Sequence, residues 1–406
     1  MPTTFKVYPY RWVVLAVFML INLTIQIEWI CFAPITGPAA QFYKVSDLQI
    51  GFFAMSFMVV YIPLSIPISW MIDSLGFRKS VGMGAVLMGV FSLLRGVLAN
   101  DYNWVLVATL GVAIAQPFLL NAISTVAAKW FPIEERATAA GLVIVASFIG
   151  VALGQELSPG LMTASGIPAM LMVYGVVTAL SALIFLVLAR EAPPTPPCLP
   201  GQESRALVLD GLKSMLKQKD VWFLIILYLV GLGIFNGVST WIEDIVRPRG
   251  FSIQQAGDFG AFLLLGGIVG AIVVPLLSDR LHKRKVFLLV GMTLAVPGLV
   301  GFTFATSYGL VVVSMLVLGF FLMSLAPIGY QYAAEITYPA PEGTSNGLLN
   351  LAGQASVVFI YAMEAFKSAD GTFTLSLVIL VVMMIVSSLL ITALTESKLI
   401  RTQTGS

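Results

Sequence analysis

Twelve runs of apolar residues, each about the length of a membrane-crossing helix, alternate with short polar or basic breaks along the 406-residue chain. A hydrocarbon core of about 30 Å is crossed by about 20 residues at about 1.5 Å each. Measured that way, the pattern predicts helical spans at 12–33, 48–72, 80–99, 103–128, 137–158 and 167–189. After a polar stretch it predicts six more, at 221–244, 255–277, 286–305, 309–334, 344–366 and 372–394. Several exceed 23 residues and contain Pro or Gly, which points to tilt or bending. The first run is long enough to span and is read as a membrane helix, not a cleaved leader.

Composition and charge agree. Hydrophobic residues make up 58% and charged residues 10%, against about 25% charged in a soluble domain. No soluble core hides that much apolar surface. With the N-terminus in the cytoplasm, 17 of the 22 Lys and Arg residues fall inside; only Lys44, Arg95, Arg247, Arg249 and Lys367 fall outside. That asymmetry supports twelve spans with both termini cytoplasmic. A net charge of +2 gives no footing for a nucleic-acid partner.

The chain also divides near its middle. Pro193, Pro194, Pro196, Pro197 and Pro200 begin a linker, and 206–220 reads as an amphipathic helix at the membrane surface. The expected organisation is a six-helix bundle over 1–190, a cytoplasmic linker over 191–219 and a second bundle over 220–406. The bundles repeat. Asp73-x-x-Gly76-x-Arg78-Lys79 is answered by Asp279-Arg280 with Lys283, Arg284 and Lys285, the aspartates lying 206 positions apart. Phe131-Pro132-x-x-Glu135 is answered by Tyr338-Pro339-x-x-Glu342, the glutamates lying 207 apart. Both pairs are cytoplasmic, so the repeats are parallel, about an axis along the membrane normal. This arrangement resembles the major facilitator superfamily. In that superfamily the loop after span two contributes to a charged latch between the halves. The resemblance assigns Asp73, Arg78, Arg136, Asp279, Arg280, Glu335 and Glu342 to such a latch. The competing reading makes these residues topology determinants and helix caps.

Ionisable groups at membrane depth are costly and mark cavities by default. Glu28, about 16 residues from the inner end of span one, lies slightly outside the midplane, next to Trp29. Arg95 and Glu156 sit in the outer parts of spans three and five. Amides at middle depth are Gln26, Gln116, Asn236 and Gln354. With no basic group expected at the midplane, an indole and a carboxylate suit an ammonium compound. The alternative is a packed Trp29 and a Glu28 that hydrogen-bonds a neighbouring helix. The sole histidine, His282, is in a cytoplasmic loop, and Cys31 and Cys198 make no metal or disulfide framework. No catalytic set, metal, cofactor or nucleotide loop is readable, so an enzyme is not expected. Gly150-x-x-x-Gly154 and the Gly266, Gly267, Gly270 cluster read as close-packing positions.

Several stretches are similar to the feline leukaemia virus subgroup C receptor-related family: Glu28-Trp29-Ile30, Tyr61-Ile62-Pro63-Leu64 with Asp73, Arg95, Ala115-Gln116 and Phe235-x-x-Val238-Ser239-Thr240. The most specific is Glu335-Ile336-Thr337-Tyr338-Pro339, followed by Glu342 through Asn350. The resemblance implies movement of choline, ethanolamine or related solutes; haem export and vitamin transport have also been proposed for members. It places Trp29, Gln116 and Gln354 in the substrate pocket. This chain departs from the family at Glu28, where a Gln is usual, and at Asn236, where an aromatic is usual.

The resulting expectation is an all-α membrane transporter of the major facilitator fold, with twelve helices in two pseudo-symmetric halves. It would be a monomer without cofactor in the plasma (inner) membrane, carrying a small organic cation or amine by alternating access, as a uniporter or with protons. Glu28, Trp29, Gln116, Asn236 and Gln354 would bind substrate, and Glu28 and Glu156 would be the candidates for proton coupling. A neutral or anionic cargo and a non-transporting receptor remain the alternatives.

Overall fold

Apolar runs become helices in lipid because every backbone N–H and C=O must be satisfied within the segment. The computed structural model describes residues 7–195, 197, 215–337 and 342–396, and its described residues form helices and no strand. Most of the 206–220 segment, and the Tyr338-Pro339 pair, lie outside the described residues.

The order is α1 (Arg11–Ile30), a 3-10 turn (Ala33–Ile35), α2 (Thr36–Tyr43), α3 (Asp47–Leu75), α4 (Phe77–Val97), α5 (Tyr102–Leu120), α6 (Ile123–Trp130) and α7 (Ile133–Leu188). Then follow α8 (Lys219–Thr240), α9 (Ile242–Val246), α10 (Ile253–Leu281), α11 (Arg284–Phe304), α12 (Tyr308–Thr337), α13 (Glu342–Ala355), α14 (Val357–Ala365) and α15 (Thr374–Thr392). Among the described residues, eleven helical runs are long and apolar enough to cross a membrane. One of them, Glu135–Leu188, has 54 residues, enough for two spans. Its continuity is broken at Gly166, whose φ of 80° is open to glycine and strained for other residues. The count of twelve therefore stands, with spans five and six joined by a one-residue turn.

The chain forms two compact units: Met1–Phe32 with Pro38–Ala206, and Ala33–Gly37 with Leu207–Ser406. In the first, α7 packs along α1 and α4, while α5 bridges α3 and α4. In the second, α12 packs between α10 and α11, α15 lies on α11, and α8 contacts α13, α14 and α15. The glycine clusters sit at close approaches. A Cβ on Gly150 would meet the Leu23 carbonyl, and one on Gly266 or Gly270 the carbonyls of Leu316 or Phe320.

The repeat extends to details of capping. Ser46 caps α3 in a reciprocal box with Gln49, and Ser252 caps α10 in the same box with Gln255, 206 positions on. Gly76, before α4, has a φ of 88°, and its counterpart His282, before α11, has a φ of 51°. The only histidine thus serves a left-handed turn.

Candidate functional site

Four spans are interrupted, and they are the spans that carry the candidate pocket residues. Span one leaves the α-helix after Ile30, directly after Glu28 and Trp29. Span four breaks at Asn121 and Ala122, five residues past Gln116. Span seven changes direction at Trp241, five past Asn236, and span eleven at Ser356, two past Gln354. Spans two, three, eight, nine, ten and twelve run unbroken. Irregular backbone in a membrane protein is tolerated where it is packed in protein or lines a cavity.

Trp29 is 6% exposed, and its indole N–H donates to the Ala54 carbonyl on α3 at 3.2 Å, which fixes the ring. Glu28 is the next residue back, about 100° around the helix, and it faces elsewhere. Its Oε2 accepts from Arg95 Nη1 at 2.5 Å, and its Oε1 accepts from the Thr178 hydroxyl at 2.9 Å. Arg95 also donates to the Glu28 carbonyl at 3.0 Å and to Cys31 Sγ at 3.5 Å, and its guanidinium lies 5.5 Å from the Phe32 ring centre. Both charged side chains are 1% exposed.

This corrects the expectation of a free carboxylate beside an indole. Arg95 reaches Glu28 from span three, so the pair is neutralised and turned to α4 and α7, away from the Trp29 face. The geometry matches the competing reading, a Glu28 that hydrogen-bonds its neighbours.

Of the remaining candidates in the first unit, Gln116 is 4% exposed and its Oε1 receives no hydrogen bond. Glu156 is partly buried on α7. In the second unit, Asn236 donates to the Ser356 hydroxyl at 3.1 Å, and Gln354 is partly buried one helical break away.

Of the residues assigned to the cytoplasmic latch, Arg136, Asp279 and Glu335 form side-chain bonds inside their own units. Asp73, Arg78 and Arg280 are exposed. The Arg136 guanidinium donates to the carbonyls of Phe131 and Ala128. Asp279 and Glu335 both hold Arg284. The Glu342 side chain lies outside the described residues.

Two residues that the sequence pattern did not single out organise these loops. Glu191 accepts from the backbone N–H groups of Phe77 and Arg78, at 3.1 and 2.6 Å, and from Lys129. Glu396 accepts from the N–H groups of Arg284 and Lys285, at 2.9 and 3.3 Å. Each is a carboxylate at the positive end of a helix. Burial alone would raise the Glu191 carboxyl, but the bonds from Lys129, Arg78 and Phe77 outweigh it and hold the value below the ordinary 4.5. The signal was available: the two glutamates close spans six and twelve, 205 positions apart.

The profile of the Major Facilitator Superfamily matches residues 18–361. The chain is 31% identical to Solute carrier family 49 member A3 of Xenopus tropicalis, over 86% of this chain and 76% of that protein. It is 30% identical to Choline/ethanolamine transporter FLVCR1 of Mus musculus, over 90% and 70%, and 28% identical to Choline/ethanolamine transporter FLVCR2 of Homo sapiens, over 90% and 74%. Among solved structures, a bacterial homologue of the human lysosomal transporter Spinster superposes with a TM-score of 0.76 at 17% identity, over 95% of this chain and 97% of that one. That likeness is one of fold. A duplicated six-span unit, a profile match over most of the chain and relatives at about 30% identity agree: this multi-pass membrane protein belongs to the major facilitator superfamily, in the feline leukaemia virus subgroup C receptor-related family.

Proposed function

We propose that the chain moves a small organic ammonium compound of the choline or ethanolamine kind across the plasma membrane by alternating access. The observation that carries this is the match between broken spans and candidate residues: Trp29, Gln116, Asn236 and Gln354 each lie within five residues of an interruption. The names of the relatives FLVCR1 and FLVCR2 point to the same cargo class. A fixed indole face attracts a cation by about 0.5–2 kcal/mol, more as it is desolvated. Because Arg95 already neutralises Glu28, the reading favours uniport over proton coupling through that carboxylate. Residues Asp73, Arg78, Arg136, Asp279, Arg280, Glu335 and Glu342 keep their place in the proposal as parts of the cytoplasmic latch, with Arg284, Glu191 and Glu396 supporting the loops beneath them.

The test is a thermal-shift screen of the purified chain against choline, ethanolamine, betaine, pyridoxine, haem and simple carboxylates, with Trp29→Ala alongside, followed by flux into proteoliposomes. A ligand stabilises the state it binds by mass action. Stabilisation by an ammonium compound that Trp29→Ala removes supports the reading. Stabilisation by carboxylates alone, indifferent to Trp29, overturns it. Binding without flux turns the protein into a receptor.

A further inference from the structure

On α1, Asn22 and Gln26 are four residues apart and share a face. Trp29, three further on, shares it too, whereas Glu28 points to Arg95 and Thr178. Trp29 donates to Ala54 of α3, and α5, carrying Gln116, packs against both α1 and α3. The Trp29 end of this face is therefore turned to α3, against which α5 with Gln116 also packs.

Three carbonyl oxygens on these amides are buried and receive no hydrogen bond from the protein: Asn22 Oδ1, Gln26 Oε1 and Gln116 Oε1. Asn22 is fully buried and Gln116 4% exposed; Gln26 is partly buried. The Asn22 orientation is set, since its Nδ2 donates to the Phe18 carbonyl at 2.9 Å. Buried acceptors in native proteins are almost always satisfied, and leaving one bare is costly. Two bare acceptors on one face of α1 and a third on α5 call for donors from elsewhere.

We infer that Asn22, Gln26 and Gln116 line an acceptor subsite for an ammonium group that brings its own N–H donors, so that a primary amine is preferred to a quaternary one. This rests on the ammonium reading above and specifies it. Trp29 alone does not make that choice, because its face attracts either cation. With Glu28 spent on Arg95, cation selection falls to the indole face and the amide dipoles. Each N-methyl group removes one donor and leaves one acceptor unmet, while the positive charge stays. Gln26 and Asn22 are then specificity-determining residues, and Gln116 is shared with the general pocket.

The experiment is a binding series with the purified full chain and four probes: ethanolamine, N-methylethanolamine, N,N-dimethylethanolamine and choline. One neutral hydrogen bond corresponds to a factor of about 2–10 in affinity. The inference expects affinity to fall by about that factor at each methylation. In Gln26→Met, which keeps length and removes the acceptor, the series should flatten, with choline little changed. Wild-type affinity that is level or rises towards choline overturns the subsite and assigns the three oxygens to solvent, while the ammonium reading stands. Failure of all four probes to bind overturns both. If Gln26→Met does not purify as a monodisperse protein, the wild-type series decides alone.

Discussion

The two units share a scaffold and differ in what they bury. Before α4 and α11 they use one device twice: Glu191 holds the start of α4, and Glu396 holds the start of α11. At the entrances to α3 and α10 they use one capping box twice. In the membrane the likeness ends. The first unit buries the Glu28–Arg95 pair. Positions 206 and 207 residues on are Ile234 and Phe235 from Glu28, and Gly301 and Phe302 from Arg95, none of them ionisable. Ends of helices must be satisfied wherever they occur, so duplication preserved the caps. Nothing in the architecture requires an ion pair between spans one and three. Its presence beside Trp29 therefore points to a local role, that of fixing α1 where it stops being helical.

The largest effect should come from breaking that pair on one side. Arg95→Leu leaves a lone buried carboxylate and should cost about 3–5 kcal/mol, read as lost monodisperse protein and a lower unfolding temperature in detergent. Copying the second unit into the first, with Glu28→Ile and Arg95→Phe together, should recover most of that stability, because a packed apolar pair often equals a buried ion pair. A double variant no more stable than Arg95→Leu would mean that the two interiors are not interchangeable. Transport by the double variant that keeps its wild-type pH profile would confirm that Glu28 takes no part in proton coupling.

Smaller and matched effects should come from the shared devices. Glu191→Gln and Glu396→Gln should each destabilise by about 1 kcal/mol, the range of a helix cap. Unequal losses would show that one loop has taken on a further burden. The Glu191 effect should depend on pH. Its carboxyl is held below the ordinary 4.5 in the folded protein, so its contribution is whole above that value and disappears as the pH falls through the lowered one. Wild type and Glu191→Gln should therefore converge in acid and separate above about pH 5. The smallest pair is Ser46→Ala and Ser252→Ala, each expected to cost about 0.5–1 kcal/mol and measured by the same unfolding assay. A difference between them larger than either loss would end the claim of equivalence.

Much of the fold could be read in the sequence because lipid imposes a length and a polarity on every span. The count of twelve, the division after span six and the repeat of 206–207 positions all came from hydropathy, basic residues and two loop motifs. The site was legible only in part. Gln116 and Trp29 stood out as polar or amphipathic groups at depth, but depth does not say which way a side chain points. Glu28 and Trp29 are sequence neighbours on different faces of α1, and the helical period alone would have separated them. The partner of Glu28 was harder, since Arg95 lies 67 residues away and hydropathy placed it nearer the outer surface. Helix breaks at Asn121 and Ser356 leave little trace in an apolar pattern; Pro117 was the one visible hint. Glu191 and Glu396 were missed because they look like ordinary residues of a polar tail until the N-termini they cap are seen.

The Glu28–Arg95 pair also sets a problem of timing during synthesis. Span one leaves the ribosome with its carboxylate, and the arginine that neutralises it follows 67 residues later. At about 5–20 residues per second, the delay is roughly 3–13 s. Throughout that interval span one carries a group that costs about 2.5–3.5 kcal/mol at the centre of a bilayer. The nascent helix must wait beside the translocon and its water until span three arrives. The first three spans are in that sense a single unit of membrane insertion, held to a schedule by one carboxylate.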